Sequence, residues 1–212
     1  MAALTRPIVE VAVASFTKPG ETESGDCYLA KTDGDRALVL AVDGLGHGPV
    51  AAVACHKAVE TAAATFQEPL TAVLQRCHAA LQLTRGAVIS LCRFNGADNT
   101  MTWLGVGNVE GVLLRKEQKV VPRREVLLLR SGIVGARLPP LREATLAVTP
   151  GDTLVLATDG VKASFFFDLV ASGSVEDMAR SILRANCLGT DDALVLVVRY
   201  LGVRKDSPTA VG

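Results

Sequence analysis

With 212 residues the chain can form one large domain around a sizeable core, and its 49% hydrophobic and 21% charged residues exclude an intrinsically disordered protein. Twenty-two basic residues balance twenty-two acidic ones, so net charge gives no reason to expect nucleic acid or an anionic membrane as partner. Aromatic residues amount to only 4%, which predicts an aliphatic, alanine-rich core.

In chain order, the opening Met1-Ala-Ala-Leu-Thr-Arg-Pro7 lacks the basic-then-apolar pattern of a signal peptide. Residues 9–16, 27–31 and 37–42 are short, aliphatic or β-branched and set off by polar breaks, which predicts strands. Pro49 suits a first helical position, and the alanine-dominated stretch 50–66 behind it predicts a helix; 70–83 predicts a second. Strands return over 88–94, 101–106, 111–114 and 126–129, punctuated by Asn95-Gly96 and Gly107-Asn108. Two more, over 145–148 and 153–157, are joined by the turn Thr149-Pro-Gly-Asp152. Helices are expected over 161–171 and 175–186, and a last strand over 194–200. No repeat, linker or membrane-length apolar run interrupts the series, so 1–203 reads as one domain with a flexible tail over 204–212. Helices arrive in pairs and strands in runs. That pattern opposes β-α-β alternation and favours an α+β fold of two antiparallel sheets packed together and covered by helices. Cys27, Cys55, Cys77, Cys92 and Cys187 are odd in number, widely spaced and form no C-x-x-C pair; reduced thiols in a cytoplasmic protein are expected.

The chemistry lies at strand ends. Asp43 ends Ala37-Leu-Val-Leu-Ala-Val42, Asp159 ends Thr153-Leu-Val-Leu-Ala-Thr158, Asp191 and Asp192 precede Ala193-Leu-Val-Leu-Val-Val198, and Asp26 precedes Cys27-Tyr-Leu-Ala30. A carboxylate at the tip of a buried strand is rigidly held, and several such tips together concentrate negative charge that bound cations would offset. Hard oxygen donors select magnesium, manganese or calcium over zinc. Any one of these aspartates could be an ordinary turn former or helix cap, and Asp152 and Asp177 are read as such. Asp43 and Asp159 are each followed by glycine, which would let the backbone approach a metal or substrate without a Cβ in the way.

Asp43-Gly-Leu-Gly-His-Gly48, Ala157-Thr-Asp-Gly160 and Gly189-Thr-Asp-Asp192 resemble the three main motifs of the PPM-type phosphatases, the protein phosphatase 2C family. Glu23-Ser-Gly-Asp-Cys-Tyr28 and Gly105-Val-Gly-Asn108 are similar to motifs of its bacterial SpoIIE-like branch, and the set runs in family order from residue 23 to residue 192. The resemblance implies a four-layer α-β-β-α sandwich with two divalent cations, manganese by preference or magnesium, held between the sheets. Asp43 would bridge both, with the Gly44 carbonyl on the second; Asp159 and Asp191 would hold the first, and Asp26 would complete the second. Asp192 takes the place of Asp191 if the register slips by one. A metal-activated water would then hydrolyse phosphoserine or phosphothreonine without a side-chain nucleophile, and neither a C-x5-R loop nor a G-x-S-x-G elbow is present. Within the branch the chain resembles the small stressosome phosphatases of the RsbX type, whose substrates are STAS-domain proteins of a stress-signalling complex. It departs from the family pattern at Leu194, where Thr or Ser is usual, and in having no evident basic phosphate-binding residue near the N-terminus, for which Lys18 or Lys31 is the available substitute. The short 130–142 region leaves little room for a flap subdomain.

Other readings are weaker. The spacing after Asp43 is G-x-G-x-G, unlike a dinucleotide turn, and it lacks the alternating carboxylates of an EF-hand. His47 is either a general acid at the phosphate or a structural residue of the turn, while His56 and His78 lie in alanine-rich helical stretches and read as structural. Cys55-His56 and Cys77-His78 are poor zinc chelates, because adjacent residues on a helix diverge by about 100°. The serious alternative is a catalytically idle, phosphatase-fold binding module; an intact set of mutually repelling carboxylates argues against it.

Overall fold

The computed structural model describes residues 7–117, 119–167, 169 and 171–203, so the tail expected over 204–212 lies outside the described residues. Strands β1 (Val9–Phe16), β2 (Asp26–Asp33) and β3 (Arg36–Gly44) come first, followed by helices α1 (Gly48–Ala64) and α2 (Leu70–Leu81). Next are β4 (Ala87–Asn95), β5 (Thr100–Val106), β6 (Glu110–Leu114), β7 (Arg124–Val126), β8 (Ala144–Ala147) and β9 (Thr153–Ala157). Helix α3 (Val175–Asn186) and β10 (Ala193–Tyr200) complete the series. The strands form two five-stranded sheets, in the orders β1-β10-β9-β6-β7 and β2-β3-β4-β5-β8. Every strand pairing in both is antiparallel.

Side-chain alternation turns these sheets into four layers. In β3, Ala37, Val39 and Ala41 enter the core shared by the two sheets, whereas Leu38, Leu40 and Val42 pack with α1 and α2. In β10, Leu194, Leu196, Val198 and Tyr200 face the other sheet, and Ala193, Val195 and Val197 pack with α3. A strand buried on both faces reads as a continuous apolar run, and each fully buried Leu, Ile or Val contributes about 1.5–3 kcal/mol. The sheet-facing side of α1 is Ala51, Ala54, Cys55, Ala58 and Ala62, all fully buried. Such small side chains bring the helix close to the sheet.

Three expectations need correction. The helix expected over 161–171 is only a 3-10 turn at Ala163–Phe167. The Arg124 guanidinium takes the carbonyls of Phe166, Phe167 and Leu169, so these oxygens are turned to a side chain. The strand expected over 126–129 ends at Val126, where its ladder with β6 ends. Beyond it the chain crosses between the sheets: Leu127 N–H bonds the Gly111 carbonyl of β6, and Arg130 N–H bonds the Gly105 carbonyl of β5. The cysteines are not all free either. Cys27 and Cys55 form a disulfide with Cα atoms 5.9 Å apart, while Cys77, Cys92 and Cys187 remain thiols. Cys27 packs on the helix side of β2 and Cys55 on the sheet side of α1, a contact that exists only once the helix lies across the sheet.

Candidate metal centre

The same alternation that builds the core delivers the acids. Residue 43 continues the inward series of β3, residue 158 that of β9, and residue 192 that of β10. Asp26 faces Asp43 directly across the β2–β3 ladder. Asp159 follows β9 and Asp191 stands one residue further from β10 than Asp192. The outcome is a cleft of about 650 Å³ at one end of the sandwich, lined by Asp26, Asp43, Asp159, Asp191, Asp192 and His47. All five aspartates singled out in the sequence therefore meet in one place. The cleft's further wall is Ser131, Gly132 and Ile133, from the short segment that replaces a flap.

Burial pushes the Asp43 carboxyl up to about 8, and the charges of Asp26, Asp159, Asp191 and Asp192 push it the same way. Burial also raises Asp26, to about 7; the Thr158 hydroxyl pulls it back, and Asp192, Asp159 and Asp191 add repulsion. Both shifts run toward the protonated form, because burial disfavours the charged carboxylate and the neighbouring aspartates repel it. The donors are all hard oxygens, which fits magnesium or manganese. Among the described residues, no three acidic, histidine or cysteine side chains close on a point as a ligand shell. Two are turned to protein donors instead: Thr158 Oγ1 donates to Asp26 Oδ2 at 2.6 Å, and Asn108 Nδ2 donates to Asp159 Oδ2 at 2.9 Å.

Asp191 and Asp192 differ sharply. Asp192 is buried and accepts the backbone N–H of Lys18 on one oxygen (2.9 Å) and of Gly25 on the other (2.8 Å), so it staples the β1–β2 connection to β10. The Asp191 side chain is 47% exposed, with Lys18 Nζ 3.8 Å from its Oδ1. Lys18 thus reaches the cleft, whereas Lys31 donates to the Ala63 carbonyl and stacks over Phe66, away from it.

The glycines after the two aspartates also answer a packing demand that the sequence does not show. A Cβ on Gly44 would collide with the Ala51 carbonyl of α1, and one on Gly160 with the Asp192 carbonyl. Helix and strand clearance, at both positions, demands glycine. His47 pairs with Glu21, Nδ1 to Oε1 at 2.5 Å. His78 Nδ1 accepts the Gly135 N–H, and His56 lies 3.7 Å from Glu23, so both hold loops and helices together as expected. Asp152 is enclosed by Arg115 and backbone donors, and Asp177 sits in the capped first turn of α3, so both are structural. Sequence reasoning missed Thr158, Asn108 and Glu21 as contributors. The first two stand inside the quoted motifs; Glu21 carries no signal beyond lying shortly before Asp26.

The chain is similar to several known proteins. A phosphoserine phosphatase, RsbX of Bacillus subtilis (strain 168), is 27% identical over 190 residues, covering 87% of this chain and 91% of that protein. A chain solved in work on the bacterial stressosome, as a modular system adapted to control secondary messenger signalling, superposes with a TM-score of 0.81 at 27% identity, covering 90% of this chain and 99% of that one. RsbX in complex with magnesium has the same fold, with a TM-score of 0.81 at 22% identity over 91% of this chain and 95% of that one. The family model described as Stage II sporulation protein E (SpoIIE) matches residues 33–201, most of the chain, and the chain therefore belongs to the SpoIIE family of PP2C-type phosphatases.

Proposed function

We propose that the cleft holds two divalent cations, manganese by preference or magnesium, on Asp43, the Gly44 carbonyl, Asp159, Asp191 and Asp26. The chain is a metal-dependent serine/threonine protein phosphatase in stress signalling, with residues 1–203 as its single catalytic domain. When bound, the cations supply a water acidic enough to act as hydroxide near neutral pH and offset the charge of the phosphoryl oxygens. Asp43 would be shared between the two cations in this reading, since it faces Asp26 across the β2–β3 ladder and lines the same cleft as Asp159 and Asp191. Asp191 is preferred over Asp192 as ligand because both oxygens of Asp192 are already taken by backbone N–H groups. Thr158 and Asn108 orient Asp26 and Asp159. Glu21 holds His47 by one ring nitrogen, so the other would give a proton to the departing serine or threonine oxygen.

The observation that carries the reading is geometric: aspartates from four strand ends line one cleft, with Asp26 facing Asp43 across the β2–β3 ladder. The phosphorylated substrate is taken to be a STAS-domain protein of a stressosome, met in the cytoplasm; among the described residues no helix is long and apolar enough to cross a membrane. The test is hydrolysis of p-nitrophenyl phosphate with manganese, stopped by EDTA, followed by phosphate release from phosphorylated stressosome proteins. Turnover indifferent to EDTA overturns the metal centre, and none at all with manganese returns the chain to the idle binding module.

A further inference from the structure

Beyond the aspartates, the rim of the cleft carries a cation, Arg85, that has no partner among the described residues. Arg85 lies in the turn between α2 and β4, and that turn is tightly fastened. Thr84 donates both its N–H (2.9 Å) and its hydroxyl (2.7 Å) to the Leu81 carbonyl, and Gly86 N–H donates to Thr84 Oγ1 at 3.0 Å. The Gly86 carbonyl in turn accepts the N–H of Leu45 at 3.0 Å, which ties the turn to the motif that begins at Asp43. Gly86 itself has φ +86 and packs against Ile133 and the Val134 carbonyl, leaving no room for a side chain. The Arg85 backbone is thus fixed relative to Asp43 while its side chain is exposed.

The guanidinium lies against Gly46, a residue of the cleft wall: a Cβ at Gly46 would meet Arg85 Nη1 at 2.7 Å. Among the described residues Arg85 makes no hydrogen bond and no ion pair, although five carboxylates line the neighbouring cleft. Lys18, on the other hand, is answered by Asp191. A dianionic phosphate ester entering a cleft of carboxylates needs attraction from the rim. A guanidinium supplies it as a planar fork whose parallel N–H groups match two phosphate oxygens.

We propose that Arg85 is a specificity-determining residue that grips the phosphate of the incoming phosphoserine or phosphothreonine; this rests on the phosphatase reading above. The test is calorimetric titration of inorganic phosphate into the manganese-loaded protein, comparing wild type, Arg85→Ala and Arg85→Lys. Arg85→Ala weakens phosphate binding by about tenfold, the value of one charged hydrogen-bonded contact. Arg85→Lys keeps the charge, loses the fork and falls between the two. Manganese affinity and melting temperature stay at wild-type values in both variants, because the side chain is exposed and holds no metal. In turnover, KM for a phosphoserine peptide rises by the same factor as phosphate binding falls, with kcat less affected.

Equal phosphate affinity in wild type and Arg85→Ala overturns the proposal. So does failure of the wild type to bind phosphate, or a loss of manganese affinity in Arg85→Ala. Phosphate binding that depends on Arg85 in a protein with no turnover would remove the phosphatase reading and leave Arg85 as the phosphate contact.

Discussion

Strand β9 has an aspartate at or just past each end, buried Asp152 and exposed Asp159, and the two ends treat negative charge in opposite ways. At its start, Asp152 is buried and fully answered: Arg115 Nη1 lies 3.0 Å from Oδ2, and the N–H groups of Lys116 and Thr149 bond the two oxygens at 2.8 and 3.1 Å. Arg115 also reaches Glu125 and the Ala147 carbonyl, so that end of the sandwich is a closed ion network. Past the other end, Asp159 joins Asp26, Asp43, Asp191 and Asp192 with no arginine among the cleft's lining residues. Carboxylates of both kinds are costly to bury. Where the counter-charge is covalently part of the chain, the acid is architecture; where five carboxylates meet one lysine, there is room for a cation from solution.

That contrast can be broken from either side. Its largest expected consequence is at the open end. Asp43→Asn should cut manganese-dependent turnover roughly ten-thousandfold, the scale of losing a metal-activated nucleophile. The variant should melt no lower than wild type without divalent cations, since a carboxyl whose ionised form burial disfavours is gone. Turnover within a few-fold of wild type would falsify the assignment of Asp43. At the closed end, Arg115→Ala strands a buried Asp152 and should cost about 3 kcal/mol in urea unfolding. Turnover per folded molecule should be unchanged; a loss of turnover without a loss of stability would mean the two ends are not separate systems.

The smallest effect concerns pH. Asp26 and Asp43 are raised from 3.8 to about 7 and about 8. Between the ordinary and the raised values the native state keeps protons that the unfolded chain has released. Stability in EDTA therefore falls as pH rises through that window and levels off above it. The melting temperature in EDTA should decline from about pH 5 to about pH 8, and added magnesium should restore more of it at the upper end, where protons no longer compete. A flat profile in EDTA, or one as steep in Asp43→Asn as in wild type, would mean that these carboxyls are not the groups responsible.

Much of the site is legible in the sequence because strand and acid are contiguous. Val42-Asp43 or Thr158-Asp159 states in adjacent letters both the buried strand and the acid at its tip. The sheets are legible for the same reason, being built from apolar runs with clear breaks. What could not be read lies in contacts between distant segments. Cys27 meets Cys55 only through the way α1 crosses β2, and Glu21 meets His47 only where the β1–β2 connection folds over the start of α1. The 161–171 stretch has helical composition, but Arg124, far away in sequence, claims its carbonyls. The choice between Asp191 and Asp192 is ambiguous by letters and turns on who donates to whom, since backbone N–H groups occupy Asp192.

Gly44 has a consequence for how such motifs drift. The letter pair Asp43-Gly44 joins two independent demands: the proposed chemistry asks for the acid, and the Ala51 carbonyl of α1 forbids a side chain at the next position. A descendant that abandons catalysis is released from the first demand and still bound by the second. Copies of this fold that have become silent should therefore betray themselves by a lost aspartate beside a retained glycine. The glycine alone records ancestry, and the acid before it records employment.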